Sequence, residues 1–230
     1  MIELAKFQLD IGLTTESRDP MLEFWQQAVG LTYDGPLSVG GGVQQHRHSC
    51  RGSIIKINHS RDPIEPQPRA GYRRLIVAQS DRTAVHDTED PDGNLVSLVP
   101  PGQDGVTQLG VEIGVRDLGR HTHFWASVVG LPPAPRAGRF AFRVGDSIIR
   151  LAHDPDAPYD ATRRGAGYRY CTLQVFDADN EYGRCVEAGA GVGHEPFTHG
   201  EVARYGFIRD PDGNWIELSQ RASITGPLPA

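Results

Sequence analysis

Apolar residues at every second position open each half of this chain. Residues 7–15 (FQLDIGLTT) and 109–115 (LGVEIGV) have the period of a half-buried strand. The period then lengthens to that of a helix. Met21, Leu22, Trp25 and Val29 share one face, Phe24 widens it, and Gly30 follows where a helix ends on a left-handed residue. His121, Thr122, Trp125 and Val129, with Phe124 and then Gly130, repeat the arrangement more weakly. β-Branched runs predict strands at SIIKIN from Ser53 and SIIRLA from Ser147. Further strands begin at the Gly-Tyr pairs of GYRRLIVA (71–78) and GYRYCTLQV (167–175). Asp-Pro-Asp-Gly-Asn launches the last strand of each half, LVSLV (95–99) or WIELS (215–219). In that turn proline sets φ, glycine accepts positive φ, and the carboxylates bond the local backbone.

The pattern is an internal duplication. DPDGNLVSL (90–98) returns as DPDGNWIEL (210–218), SIIKINH (53–59) as SIIRLAH (147–153), and FWQQAVGL (24–31) as FWASVVGL (124–131). The breaker-rich PPGQDG (100–105) divides the copies, giving expected domains at residues 1–104 and 105–230. Their lengths differ. Ten residues separate Gln79 from Asp90, too few for a helix and two strands, whereas 35 separate Gln174 from Asp210. That longer segment holds a short helix in DNEYGRCVEAG and room for strands around FTHGEVARYGFIR. Each copy therefore reads as two modules, with the second module of copy one truncated, and an enclosed cavity is expected in copy two.

Charge and composition narrow the function. The formal net charge is -6, from 23 basic and 29 acidic residues with no basic block, which gives no footprint for nucleic acid or an anionic membrane. Small molecules are the expected partners, and dimerisation stays open. Three cysteines without a CxxC pair fit structural thiols in a reducing compartment. The chain opens without a signal-like segment and contains no run of about 18 apolar residues, so a soluble, cytoplasmic protein is expected. No GxGxxG, GxxxxGK[ST] or GxSxG occurs.

An opening strand, a helix ending FW-x5-GL, an apolar strand, and DPDGN before a carboxylate-bearing strand together resemble the vicinal oxygen chelate superfamily. That superfamily includes glyoxalase I, extradiol dioxygenases and bleomycin-resistance proteins. The tandem layout resembles the two-domain extradiol dioxygenases. The resemblance covers almost the whole chain and implies an α+β fold: tandem βαβββ modules forming two cup-shaped mixed sheets, helices outside, with a truncated second module in the first half. It also implies where a divalent metal is held in relatives. Those positions read Gly110, Arg150, Tyr170 and Glu217 in copy two, and Asp10, Lys56, Arg74 and Ser97 in copy one. One carboxylate beside a guanidinium does not hold a divalent ion, so no metal ligand and no cofactor is expected. Ion pairs are expected instead, Arg150 with Glu217 and Asp10 with Arg74 or Lys56. The alternative is a relocated metal site of His46, His48 and Asp10.

Strand residues two apart share a face, so the expected copy-two cup is lined by Gly110, Ile148, Thr172, Gln174, Trp215 and Ser219 as binding residues. Glu217, Tyr170, Arg150, Glu112 and His199 are its catalytic candidates. Paired carboxylates split their pKa values and let one act as a base, while Arg150 steadies an enolate and Tyr170 donates a proton. His194, His199 and Tyr205 belong to the segment that would roof the cup, and His121 and His123 are expected partly exposed on a helix. The expected function is a metal-independent acid–base enzyme, an isomerase, lyase or cyclase, acting on a small oxygenated, aromatic or polyketide-like molecule. A drug- or metabolite-binding protein of the bleomycin-resistance kind is one alternative. A metal-dependent extradiol dioxygenase or glyoxalase with relocated ligands is the other.

Overall fold

The computed structural model describes residues 1–229. The first module is β1 (Asp10–Thr15), helix α1 (Arg18–Glu23) and strands β2 (Thr32–Ser38), β3 (Val43–Cys50) and β4 (Ser53–Ser60). The second has three strands and no helix: β5 (Tyr72–Ala78), β6 (His86–Glu89) and β7 (Leu95–Val99). The third is β8 (Leu109–Val115), α2 (Leu118–His123), β9 (Ala141–Val144) and β10 (Ser147–His153). The fourth is β11 (Gly167–Gln174), α3 (Ala178–Glu187), β12 (Gly191–His199), β13 (Ala203–Arg209) and β14 (Trp215–Arg221), followed by α4 (Ala222–Thr225). The truncation of the second module is thus real.

Helices α1 and α2 each run into a π-helical turn, Phe24–Ala28 and Phe124–Val129, where Val29 N–H reaches back to Phe24 O at 3.0 Å. The widened turn carries Trp25 and Trp125, both fully buried, with Phe24 and Phe124 edge-on to them at 5.4 and 5.2 Å. Gly30 and Gly130 then take φ of 78° and 85°, the left-handed cap that an L side chain resists.

The strands form two sheets, and neither belongs to one half of the chain. The larger has the order β12-β13-β14-β11-β1-β4-β3-β2, so the first module joins the fourth through antiparallel β1 and β11. The smaller has the order β6-β7-β5-β8-β10-β9, joining the second module to the third through antiparallel β5 and β8. The boundary expected at residues 104 and 105 therefore crosses both sheets, and the cavity is not confined to copy two. Residues 100–108 let β8 return antiparallel beside β5, which joins the middle modules and leaves the outer two to pair with each other.

The repeated motifs hold the halves together reciprocally. Tyr72 donates its hydroxyl to Trp215 O at 2.6 Å, and Tyr168 donates to Leu95 O at 3.1 Å, so each Gly-Tyr pair binds the residue after DPDGN in the other copy. Gly71 N–H likewise donates to Asn214 Oδ1 at 2.7 Å. Fully buried His121 reaches the second turn, its Nε2 lying 3.4 Å from Asp210 and 3.5 Å from Asp212, which corrects the expectation of partial exposure. Burial works against its charge, yet those carboxylates hold its pKa above the ordinary value.

Alternate residues of the large sheet, including Ile11, Leu13, Ile55, Ile57, Cys171, Leu173, Ile216 and Leu218, join both tryptophans in one apolar core. The concave side of the small sheet is filled by its own cluster: Ile76, Ala78, Val99, Val106, Ala134, Ala137, Ala141 and Ile148. Val106, from the link between the copies, packs into the space that Gly110 leaves on β8, while the Arg73 side chain lies against the second glycine, Gly114. The concave side of the large sheet stays open.

Candidate functional site

That side encloses a cavity of about 700 Å³, lined from both halves of the chain. Register explains which residues reach it. Gly12 pairs with Lys56 on one side and Tyr170 on the other, and Thr172 pairs with Glu217. Side chains at two-residue spacing on β1, β4, β11 and β14 thus point inward together. Gly12 is required: a methyl there would lie 2.2 Å from Tyr170 Cζ, so the tyrosine ring rests directly on the β1 backbone.

Lys56 and Glu217, 5% and 7% exposed, form the floor. Lys56 Nζ donates to Glu217 Oε2 at 2.6 Å and to Thr172 Oγ1 at 2.7 Å, and Thr172 Oγ1 donates to the same Glu217 oxygen at 2.5 Å. Burial alone would lower the Lys56 pKa, but Glu217, Tyr170 and Asp10 outweigh it and hold the ammonium above its ordinary value. Burial raises the Tyr170 phenol, which accepts from Asn58 Nδ2 at 3.3 Å, so Tyr170 stays protonated. An ammonium has three N–H donors. Three valences on the floor therefore lack a partner among the described residues: one Lys56 N–H, Glu217 Oε1 and the Tyr170 O–H. Gln174 adds a fourth. Its Nε2 donates to Asp10 Oδ2 at 3.1 Å, leaving the buried Oε1 without a donor.

One wall is aromatic. Phe197, Tyr205, Phe207 and Tyr170 follow one another with ring centroids 4.4, 5.9 and 5.8 Å apart, and the Arg163 guanidinium stacks 4.7 Å over Phe207. His194 and His199 line the same side, as expected of the roof segment.

The positions that the resemblance assigns to metal ligands regroup across the halves. Asp10, Lys56, Tyr170 and Glu217 belong to the open cup, and Arg74, Ser97, Gly110 and Arg150 to the filled one. The first set does not fit a divalent cation: a lysine ammonium contacts the carboxylate, and Asp10 is engaged by Lys6, Ile54 N–H and Gln174. Nor do His46 and His48 converge on Asp10. They pair with Ile57 and Ile55 and so face away from the cavity, where His46 Nδ1 lies 2.8 Å from the Tyr33 hydroxyl and His48 Nε2 3.4 Å from Gln26 Nε2. Among the described residues no three His, Cys, Asp or Glu side chains converge as a metal site.

The sequence-derived candidates thus divide. Tyr170, Glu217, Gln174, Ser219 and His199 line the cavity, and Thr172 braces its floor. Arg150 and Glu112 lie in the other sheet, joined at 2.9 Å, with Asp104 3.8 Å away; Arg150 does not face Glu217. Gly110 and Ile148 lie in that sheet too, against the apolar filling. Trp215 stands beside the cavity, its indole N–H donated to Ala161 O at 2.7 Å. The Asp10 pairing with Arg74 or Lys56 is replaced by Lys6, and Arg74 turns to Asp87 at 3.5 Å. Asn58, Arg47, Arg221, Phe197 and Phe207 were not anticipated as site residues, and Lys56 was placed in the wrong cup. Their signal was parity with Thr14, Tyr170 and Glu217, readable only once β1 is known to pair with β11.

Residues 107–218 match the family model described as Glyoxalase/Bleomycin resistance protein/Dioxygenase superfamily. Glyoxalase I from Zea mays superposes with a TM-score of 0.74 at 13% identity, over 95% of this chain and 92% of that one. A putative dioxygenase from Bacillus subtilis gives 0.67 at 12% identity, over 96% and 86%. The cppA protein from Streptococcus pneumoniae gives 0.56 at 10%, over 95% and 99%. At such identities these likenesses show the fold alone. Among curated proteins the sequence finds no match.

Proposed function

We propose, from the match of residues 107–218 to the model of the Glyoxalase/Bleomycin resistance protein/Dioxygenase superfamily, that this chain is a metal-independent enzyme of that fold, moving a proton on a small oxygenated molecule in the isomerase, lyase or cyclase manner. The observation that carries this reading is the set of unfilled valences on the floor, an ammonium N–H, a carboxylate oxygen and a phenol O–H, held by side chains whose other bonds are satisfied. A substrate carbonyl placed against Lys56 exposes its α-hydrogen to Glu217 Oε1. The carboxylate takes that proton, the C–H electrons move to form the C=C bond, and the carbonyl π electrons pass to oxygen. The enolate is stabilised by the Lys56 charge, a preorganised cation in a water-poor site. Return of the proton to carbon gives isomerisation or epimerisation. Loss of a β-substituent, with Tyr170 donating to the leaving oxygen, gives elimination.

The aromatic wall also supports a second reading, a protein that binds and retains a flat ligand without changing it. Solvent deuterium exchange separates the two. Acetophenones and aryl-substituted 1,2-diketones incubated in D₂O with the protein are expected to gain deuterium at the α-carbon by mass spectrometry, with the rate falling at least 100-fold in Glu217→Gln. Full exchange in that variant removes the enzymatic reading, and equimolar binding with no exchange supports the binder.

A further inference from the structure

We propose that the ligand of this cavity is a flat aromatic or conjugated carboxylate, its anionic group held at the rim by Arg47 and Arg221 and its oxygenated end at Lys56 and Glu217. Both arginines line the cavity and are half-buried, and neither has a carboxylate within 4.0 Å among the described residues. Of the other cations that line the cavity, Lys56 holds an acid, Arg163 stacks on Phe207 and Arg164 is exposed, and neither of those two arginines has a carboxylate within 4.0 Å among the described residues. The cup thus carries several guanidiniums that no acid neutralises at contact distance, and Arg47 and Arg221 are the two that stand on the strands of its sheet. Arg47 has only the neutral Gln45 Oε1, at 3.1 Å. Burial first and then the charge of Arg47 lower the Arg221 pKa, while Asp10 and Glu217, both farther than 4.0 Å, work against them, so the two guanidiniums repel and an anion between them would relieve the repulsion. Asp62 and Glu65 also line the cavity, but both are exposed and neither reaches an arginine.

Register supplies the shape of the ligand. Phe207 pairs with Glu217, Tyr205 with Ser219 and Ala203 with Arg221, so the aromatic wall runs beside β14 from the acid–base floor to the arginine rim. Arg221 lies four residues beyond Glu217, about 13 Å along the strand, and its long side chain can cover part of that distance. A ring laid along Tyr205 and Phe207 therefore has its ends at opposite chemistries, a carboxylate-matching fork at one and an ammonium with a free carboxylate oxygen at the other. Arg47 stands on β3 in register with Lys56, so its backbone belongs to the floor end and it meets an anion held by Arg221 only through the length of its own side chain. The unpaired Gln174 Oε1 asks for a hydroxyl or N–H on the same ligand, near the floor.

This deepens the proposed function by naming a substrate class, but its test reads binding and not turnover. The probe is 4-acetylbenzoate, which carries a carboxylate and an enolisable ketone on opposite ends of one ring, compared with 4-acetylbenzamide by isothermal titration calorimetry. The acid is expected to bind at least ten-fold more tightly than the amide, with an advantage that shrinks as salt is raised. Arg47→Gln and Arg221→Gln are each expected to erase most of that advantage while leaving amide binding and the thermal midpoint unchanged. Arg139→Gln, outside the cavity, should change nothing. Equal affinity for acid and amide, an acid preference that survives both arginine substitutions, or no binding of the acid overturns the proposal. Glu217→Gln should still bind the acid, so a failed deuterium exchange and a failed anion site give different results.

Discussion

Removing either partner of the Lys56–Glu217 pair strands the other in a nearly dry floor. Lys56→Met leaves a buried carboxylate with no cation, an arrangement that costs about 3–5 kcal/mol in comparable pairs, and access to the cavity sets the expectation at about 3 kcal/mol. The double variant Lys56→Met/Glu217→Leu is expected to recover most of that loss in urea unfolding, although neither protein should exchange α-protons. A second residue-scale prediction concerns Gly12. Alanine there forces the Tyr170 ring off β1, with an expected cost of about 1–3 kcal/mol and a lost phenol contact, measured as a lower thermal midpoint and weaker 4-acetylbenzoate binding. The candidates Glu217 and Tyr170 followed from the positions that the resemblance assigns to metal ligands, and Gln174 from parity with Tyr170 along one strand, none of which required knowledge of distant pairing. The place of Lys56 did, because its partner lies 161 positions away.

At the scale of elements, β3 carries chemistry on the side that faces helix α1. Burial and the neighbouring His46 push the His48 imidazole down to about 4, and its Nδ1 has no partner. A group whose folded pKa lies below its unfolded value of about 6.5 contributes stability that is present above that pH and lost as pH falls toward 4. The expected loss is roughly 2–3 kcal/mol between pH 7 and pH 4, with His46 and His59, also lowered by burial, adding in the same sense. The second copy has Phe142 at the matching position. His48→Phe is therefore expected to flatten the fall of the urea midpoint across this window. The helices, the glycine caps and most strand cores could be read from periodicity, since those signals are local. The direction in which His46 and His48 point could not, because a strand pattern fixes alternation but not which face becomes the cup.

For the molecule as a whole, duplication was plain and pairing was not. Gly-Tyr and DPDGN make the same contacts whether they meet within one copy or between two, so the repeat was compatible with two self-contained halves. The structure exchanges them. Fragments 1–104 and 105–230 are accordingly expected to show no cooperative unfolding transition alone and to regain one when mixed, followed by circular dichroism. Tyr72→Phe removes one reciprocal bond at an expected cost of about 1 kcal/mol, with the midpoint shifting and the denaturant slope unchanged.

The union of β1 with β11 also bears on the birth of the protein. Thr15 leaves the ribosome about 160 residues before Gln174, an interval of roughly 10–30 s at typical translation speeds. Throughout that time one flank of β1 waits unzipped, with Ile11 and Leu13 lacking their final cover, and the nascent chain is an open invitation to chaperones or to a neighbouring copy on the same messenger.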